Sequence, residues 1–371
     1  MSPAFVDNDG NLNWRKIGYH ARSAFAVLLS AAILVGGGWF VYSKVNEAYV
    51  SWRTADDYIG EGVDPVSVVV PLGATITNIG DILVENDVIK STSTFRDEAA
   101  KNPDSNSIQA GRYNLKTQIP AAMALEMLLD PANLEVTTIT IPEGFALSQQ
   151  WTVITRELDI PREDISAAYN SGEVELPEWA AGNFEGVMFP DTYQVAEPVN
   201  PLQIAQAQVA QFKRVATELE LESRAQAMGL TPYEVVTVAS IIEKEVATPE
   251  YRPMVARAIY NRLEKGMKLQ VDSSVHYALG DFSKVTTTAE DRANPSPYNT
   301  YVHEGLPPGP ISNPGRAALD AALTPSEGDY VFWVTVNLDT GETRFAATAE
   351  EHEANVALFQ QWCQANTGRC V

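Results

Sequence analysis

Cysteine is almost missing from this chain: it has two, Cys363 and Cys370, both near the C-terminus. That excludes a disulfide-stapled scaffold and a thiolate metal site of C-x-x-C spacing. The pair either closes a small terminal loop, worth about 2 kcal/mol outside the cytoplasm, or stands as two free thiols. Histidine is scarce as well. His20, His276, His303 and His352 are scattered, with no H-x-x-x-H pair, so a zinc enzyme is excluded and neither metal nor cofactor is expected. Positive charge is short: 26 Lys and Arg face 48 Asp and Glu, for a formal charge of -22. Nucleic acid is excluded as a partner, since phosphate recognition needs clustered cations. The acidic excess reads as a solvated surface. Internal repeats and low-complexity tracts are absent.

Of long apolar runs there is one, Ala24 to Tyr42, and it carries no charge. At about 1.5 Å per residue it spans close to the ~30 Å hydrocarbon core of a bilayer. Arg15, Lys16 and Arg22 precede it, which puts the N-terminus in the cytoplasm. Trp39, Phe40 and Tyr42 fall where aromatic rings favour the outer interface. The run is longer than a signal-peptide core, and no convincing A-x-A site comes after it, so an uncleaved anchor is expected.

The chain beyond the anchor is long enough for two or three domains, and 45% of all residues are hydrophobic. The expected organisation is a tail over 1–23, a membrane span over 24–42 and a polar stalk over 43–65. A small α/β module over 66–134 comes next, then a connecting region over 135–205 and a last domain over 206–371. The module has strand patterns at Val66–Pro71 and Gly111–Leu115, a helix from Ile76 capped by Thr75, and a helix over Ala121–Leu129. Glu135–Ile141 reads as another strand, and a long helix is expected from Pro201 to about Met228. Thr231-Pro232-Tyr233-Glu234 is a helix start, with Thr at the cap, Pro first and Glu three on. A helix near Tyr251–Lys265 ends at Gly266. Residues 281–315 form a Pro/Gly/Asn-rich loop of the length that lines sites. A hairpin of Tyr330–Asn337 and Thr343–Ala347 is expected around Asp339–Gly341. Helices and strands alternate without a βαβ rhythm, so the class is α+β.

Chemistry concentrates on the helix that starts at Thr231. At about 100° per residue, Glu243 and Glu245 lie about 80° to either side of its apolar face, and Lys244 points away. A carboxylate on the shoulder of a buried face is partly desolvated, which raises its pKa and suits general acid work. An ordinary amphipathic helix edged by glutamates has the same pattern.

Several strings together resemble one family, the YceG-like endolytic murein transglycosylases. They are Ala239-Ser-Ile-Ile-Glu-Lys-Glu245, Asn261-Arg-Leu, Gly266-Met-Lys-Leu-Gln-Val-Asp272, Tyr298-Asn-Thr-Tyr301, Gly305-Leu-Pro-Pro-Gly-Pro-Ile311 and Asn313-Pro-Gly. Upstream, Phe184-Glu-Gly-Val-Met-Phe-Pro-Asp-Thr-Tyr193 is similar to the family's central motif, and Val70 through Ile89 resembles its LysM-like module. The resemblance implies cleavage of peptidoglycan strands between N-acetylmuramic acid and N-acetylglucosamine, leaving 1,6-anhydro-muramic ends. One carboxyl group then suffices for both proton transfers, because no attacking water is needed.

The family's catalytic glutamate matches Glu245, with Glu243 as the alternate. Val246 stands where the family often has Thr, which removes a hydroxyl beside the acid. Gln270, Tyr298, Asn299 and Tyr301 are candidates for holding sugar amides and hydroxyls. Asp272 is expected to order its own turn, and His352 is given no role. The resemblance further implies a single-pass protein of the inner membrane, its catalytic domain in the periplasm, acting beside penicillin-binding proteins. The alternative is a non-catalytic peptidoglycan-binding scaffold.

Overall fold

The computed structural model describes residues 14–53, 57–284, 286–367 and 369. Most of the expected tail, part of the stalk and Cys370 lie outside them; Cys363 is disulfide-bonded. Helix α1, Trp14–Arg53, is continuous and runs on into the residues expected to form the stalk. Within it, Ile17–Val45 is long and apolar enough to cross a membrane. Its apolar side chains, among them Leu34, Val35 and Trp39, are exposed.

The chain divides into two compact units between Glu135 and Val136. In the first, β1 (Pro65–Val70) pairs antiparallel with β2 (Gly111–Lys116) in the register Val68↔Tyr113 and Val66↔Leu115. Side chains alternate across a strand, so Val68, Val70, Tyr113 and Leu115 share the buried face. Helices α2 (Ile76–Glu85), α3 (Thr92–Lys101) and α4 (Ala121–Leu129) cover that face. Thr75 and Asn78 form a reciprocal capping box that starts α2 and sets Ile79 and Leu83 inward. Phe95, Leu83 and Ile119, each 0% exposed, fill the core. Burying a side chain of that size contributes about 1.5–3 kcal/mol.

The second unit opens with β3 (Val136–Thr140), paired antiparallel with β4 (Thr192–Ala196) so that Ile139 lies opposite Tyr193. Between them run α5 (Leu147–Leu158) and α6 (Arg162–Tyr169). Residues 136–205 therefore belong to the same unit as 206–371. The single helix expected from Pro201 to Met228 is two: α7 (Pro201–Glu218) and α8 (Leu221–Ala227). Glu220 breaks them, in the left-handed region at φ 52°. Leu219 and Leu221 would point to opposite sides of one helix, and the break lets both enter the same core.

Helix α9 (Pro232–Glu245) begins at a Thr231–Glu234 capping box, and all eight residues from Val235 to Ile242 are buried. It is a central helix, not an amphipathic surface one, because α8, α10 (Arg252–Glu264), α11 (Asp272–Leu279) and α12 (Arg316–Leu323) pack around it. Its two buried hydroxyls are satisfied locally: Thr237 donates to the Tyr233 carbonyl at 2.8 Å and Ser240 to that of Thr237 at 2.7 Å. The 281–315 loop holds only a short 3-10 turn at Asp291–Ala293 among its described residues. Strands β5 (Phe332–Asn337) and β6 (Glu342–Ala346) pair antiparallel, and α13 (Ala349–Ala365) packs on them.

Gly186 is a tight joint between the 184–189 segment, the 305–315 loop and α9. Its φ is +90°, and a Cβ there would strike the Pro310 ring and Val236 of α9. Gly186→Ala is expected to destabilise the chain by about 2–3 kcal/mol, read as a lower denaturant midpoint with an unchanged slope.

Candidate active site

The two glutamates at the end of α9 have opposite surroundings. Glu243 forms an ion pair with Arg252 at 2.6 Å, and their side chains are only 5% and 7% exposed. Its second oxygen accepts the Gly315 N–H at 3.0 Å. The Glu143 carboxyl lies against Gly315, so a Cβ there would have to push it aside. Burial raises the Glu243 pKa while Arg252 and Gly315 pull it down. Both its oxygens are spent on holding α9 to the starts of α10 and α12.

Glu245 has no salt bridge among the described residues. Ser273 Oγ donates to one oxygen at 2.7 Å and Trp333 Nε1 to the other at 3.2 Å. Burial pushes its pKa up, the Asp272 charge adds to this, and the two hydrogen bonds and the Arg262 charge oppose it. The position at the helix C-terminus, where unpaired carbonyls point, also disfavours a negative charge. Val246, beside the acid, is buried and offers it no hydroxyl; the hydroxyl at Glu245 comes from Ser273 on α11. Arg262 is itself fixed, donating to the Val331 carbonyl at 2.5 Å and to that of Leu269, with its guanidinium 4.8 Å from the Trp333 ring centroid. Next to Trp333, the Phe332 ring stacks on His352 at 4.9 Å.

The segments around Gln270 and Tyr298–Tyr301 are brought together. Gln270 N–H donates to the Thr300 carbonyl at 3.2 Å, and Val271 N–H to Thr300 Oγ1 at 3.0 Å. Gln270 is exposed and held at φ 48°, a conformation that side-chain-bearing residues seldom adopt. Asn299 is fully buried. Its amide donates to the carbonyls of Arg292 and Asn294, and its oxygen accepts the Tyr301 N–H at 3.0 Å, so it shapes the loop from inside. Tyr301 donates its hydroxyl to Asp272 at 2.7 Å. Asp272 does not order its own turn as expected. It takes that hydroxyl and that of Thr287, also at 2.7 Å, and so ties α11 to two parts of the loop. Local sequence cannot display partners that far along the chain.

A second acid, to which the sequence reading gave no role, sits under Tyr298. Glu185 is 6% exposed, and three donor groups reach it. They are Leu147 N–H at 3.0 Å, Asn313 Nδ2 at 2.8 Å and the Tyr277 hydroxyl at 3.1 Å, with Leu147 also 3.2 Å from the other oxygen. The Tyr277 and Tyr298 rings are 4.9 Å apart. Burial still wins, and the pKa of Glu185 is pushed up to about 7. The available signal was a lone acid inside the apolar string Phe184–Phe189. Ser273 and Tyr277 are one turn apart on α11, so a single helix face serves both protonatable carboxyls. Among the described residues, no three His, Cys, Asp or Glu side chains converge as metal ligands would.

The chain matches the YceG-like family over residues 68–358. It is 30% identical over 335 residues to an endolytic murein transglycosylase of Bacillus subtilis, covering 86% of this chain and 89% of that protein. It is 28% identical to an endolytic murein transglycosylase of Streptococcus pneumoniae, with 89% of this chain aligned, and it spans 64% of that longer protein. Among solved structures it is similar to a yceG-like protein of Listeria monocytogenes. The TM-score is 0.52 at 30% identity, covering 78% of this chain and 99% of that one.

The raised pKa of Glu185 gives stability a definite slope with pH. Its ordinary value of 4.5 rises to about 7 in the folded chain, so the folded form binds the proton more tightly. Its contribution to stability is full below about pH 4.5 and is lost as pH rises through about 7. Thermal midpoints across that window are expected to show this falling component in the wild type and not in Glu185→Gln.

Proposed function

This chain belongs to the YceG-like family, and on that footing we propose that it is an endolytic murein transglycosylase held to a membrane by α1. The observation that carries the reading is the Glu245 carboxyl: desolvated, unpaired with any cation at ion-pair distance among the described residues, and oriented by Ser273 and Trp333. Such a group holds its proton at a pH where an exposed glutamate has lost it, as a general acid must.

The reaction then runs on one residue. Protonated Glu245 gives its proton to the glycosidic oxygen between N-acetylmuramic acid and N-acetylglucosamine, and the bond from C1 to that oxygen breaks. The resulting carboxylate takes the proton of the C6 hydroxyl as O6 closes on C1. The products are a 1,6-anhydro-muramic end and a free hydroxyl on the departing sugar. No water enters, and Glu245 ends protonated as it began. Glu243, with both oxygens engaged by Arg252 and Gly315, is the wrong group for this task. Gln270, exposed on a strained backbone, and the tyrosines Tyr298 and Tyr301 are the groups to meet sugar substituents. Asn299 acts by shaping their loop.

The remaining assignments extend the same proposal. The β1–α2–α3–β2 arrangement supports taking residues 66–134 as a LysM-like, glycan-binding module. Residues 206–371 carry the chemistry, and 135–205 complete their packing. The basic residues before the span favour an N-terminus in the cytoplasm and a catalytic unit in the periplasm. There nascent strands emerge from penicillin-binding proteins, and cutting would terminate them.

Glu245→Gln is expected to lower formation of anhydro-muramic ends from purified strands by about 10²–10⁴-fold, scored by mass spectrometry, while the fold persists. Activity retained in Glu245→Gln but lost in a folded Glu243→Gln would reverse the assignment. Because the acid must be protonated, activity falls as pH rises past the Glu245 pKa. Trp333→Phe removes a hydrogen bond that favours the carboxylate, so that fall is expected to move to higher pH in the profile of kcat/KM.

A further inference from the structure

A groove of about 390 Å³ lies between α5, α6 and the end of α11, walled by Leu147, Ser148, Trp151, Arg162, Tyr277 and Phe282, with Glu185 at its base. A more open depression of about 550 Å³ continues it past Trp151 and Arg162 along α6 to Asn170. Trp151 and Arg162 have no part in the arrangement around Glu245.

The floor of the groove is built in advance. The Trp151 ring meets Tyr169 edge-on at 5.4 Å and 79°. Beneath it runs a buried relay: the Tyr169 hydroxyl donates to Gln208 at 2.6 Å, Gln208 to Gln150 at 2.9 Å, and Gln150 to the Met188 carbonyl at 3.0 Å. A satisfied buried network of this kind fixes the rotamer of Tyr169, the ring the indole packs against, while the buried Trp151 Nε1 has no partner in it.

Arg162 lies over that indole, 5.2 Å from the ring centroid. Its contact with protein oxygen is a long one, Nη1 to the Ser148 carbonyl at 3.4 Å. Among the described residues no carboxylate pairs with it; Glu163, on the rim of the open part, does not reach it. In a chain with 48 acidic residues against 26 basic ones, this guanidinium keeps its charge for something else. A planar guanidinium binds a carboxylate through two parallel N–H bonds, and an aromatic face accepts the apolar face of a sugar or a peptide side chain. Tyr277, in the groove wall, stands one turn from Ser273, which touches Glu245. That is about 6 Å of helix rise.

We propose that the Trp151–Arg162 groove is a subsite for the peptide stem of the strand, Arg162 taking a stem carboxylate and Trp151 stacking on the stem-bearing residue. Murein offers both features on the same sugar, since N-acetylmuramic acid carries a short peptide with free carboxylates. The subsite rests on the glycan reading of Glu245, and it makes the enzyme select strands with stems over bare ones.

The test uses the full chain in detergent and two substrates: uncross-linked strands with stems, and the same strands stripped by an amidase. Binding is measured by calorimetry on Glu245→Gln, in which cutting is slowed enough to leave the strands intact over the titration. Stem-bearing strands are expected to bind about tenfold more tightly than stripped ones, and adding Arg162→Gln should bring the two within about twofold. In the cutting enzyme, Arg162→Gln and Trp151→Phe should raise KM for stem-bearing strands with kcat moving much less. Lys213→Gln, in a separate cavity of about 980 Å³ by Trp179 and Phe212, should change neither. Equal affinity for the two substrates, or an equal loss on both in Arg162→Gln, overturns the subsite. A wild type that leaves no anhydro ends on either substrate sinks the lyase reading alone, because the binding arm does not depend on cutting.

Discussion

The buried amide of Asn313 holds the second unit together. Its oxygen accepts the N–H groups of Gly186 and Met188 at 2.8 and 3.0 Å, and its nitrogen donates to Glu185 and to the Phe145 carbonyl at 2.8 and 3.1 Å. Its backbone pairs with Phe145 and Gly144, both at 3.0 Å. Three stretches far apart in the chain thus meet on one side chain whose hydrogen-bonding capacity is wholly used. Losing one of these partners would leave a polar group unsatisfied where water cannot replace it, so the arrangement is close to all-or-none. From it the same loop reaches α9: Ile311 N–H donates to the Ser240 hydroxyl and Ser312 Oγ to the Ser240 carbonyl, both at 3.0 Å. The position of Glu243 and Glu245 at the end of α9 descends from these bonds.

What local chemistry decides was legible in the sequence. Strands β1, β2 and β3, helices α2, α4 and α10, and the capped start of α9 depend on alternation, on Thr at a cap or on Gly at a stop, and they fall where those signals put them. The break at Glu220 was not legible, because the apolar pattern runs through it and only the shared core explains it. Helix α11 was missed, being short, polar at its start and rich in residues of weak helix preference. The site divides in the same way. Placing the two glutamates on opposite flanks needed only the helical period. That one flank holds Arg252 and the other Ser273 and Trp333 is tertiary information. Glu185 was visible as a misplaced charge, yet its donors come from three other segments. Asp272 was misread for the same reason, its partners lying 15 and 29 residues away.

Neighbouring glutamates two positions apart show how a fold assigns roles. Both are desolvated, and burial alone would raise both pKa values. Arg252 makes the buried charge on Glu243 tolerable, and the cost of burying that pair limits what it adds to stability; its value is in fixing α9 against α10. Glu245 is given neutral donors instead, a hydroxyl and an indole N–H, which orient a carboxyl without demanding that it ionise. Arg262, the cation whose charge bears on it, is occupied by two backbone carbonyls and two aromatic rings.

Helix α11 touches two carboxyls through residues four apart, and this restricts how the protein can vary. Substitutions on its outer face leave both bonds in place. Insertion or deletion of a single residue between Ser273 and Tyr277 turns everything beyond it by about 100°, and one of the two hydroxyls then points away from its acid. The Gly280 stop, in the left-handed region at φ 67°, closes the helix within one turn of Tyr277, leaving no length over which the slip can be absorbed. The segment is therefore open to change only on its outer face and rigid in count, like the spacing between two teeth of a key.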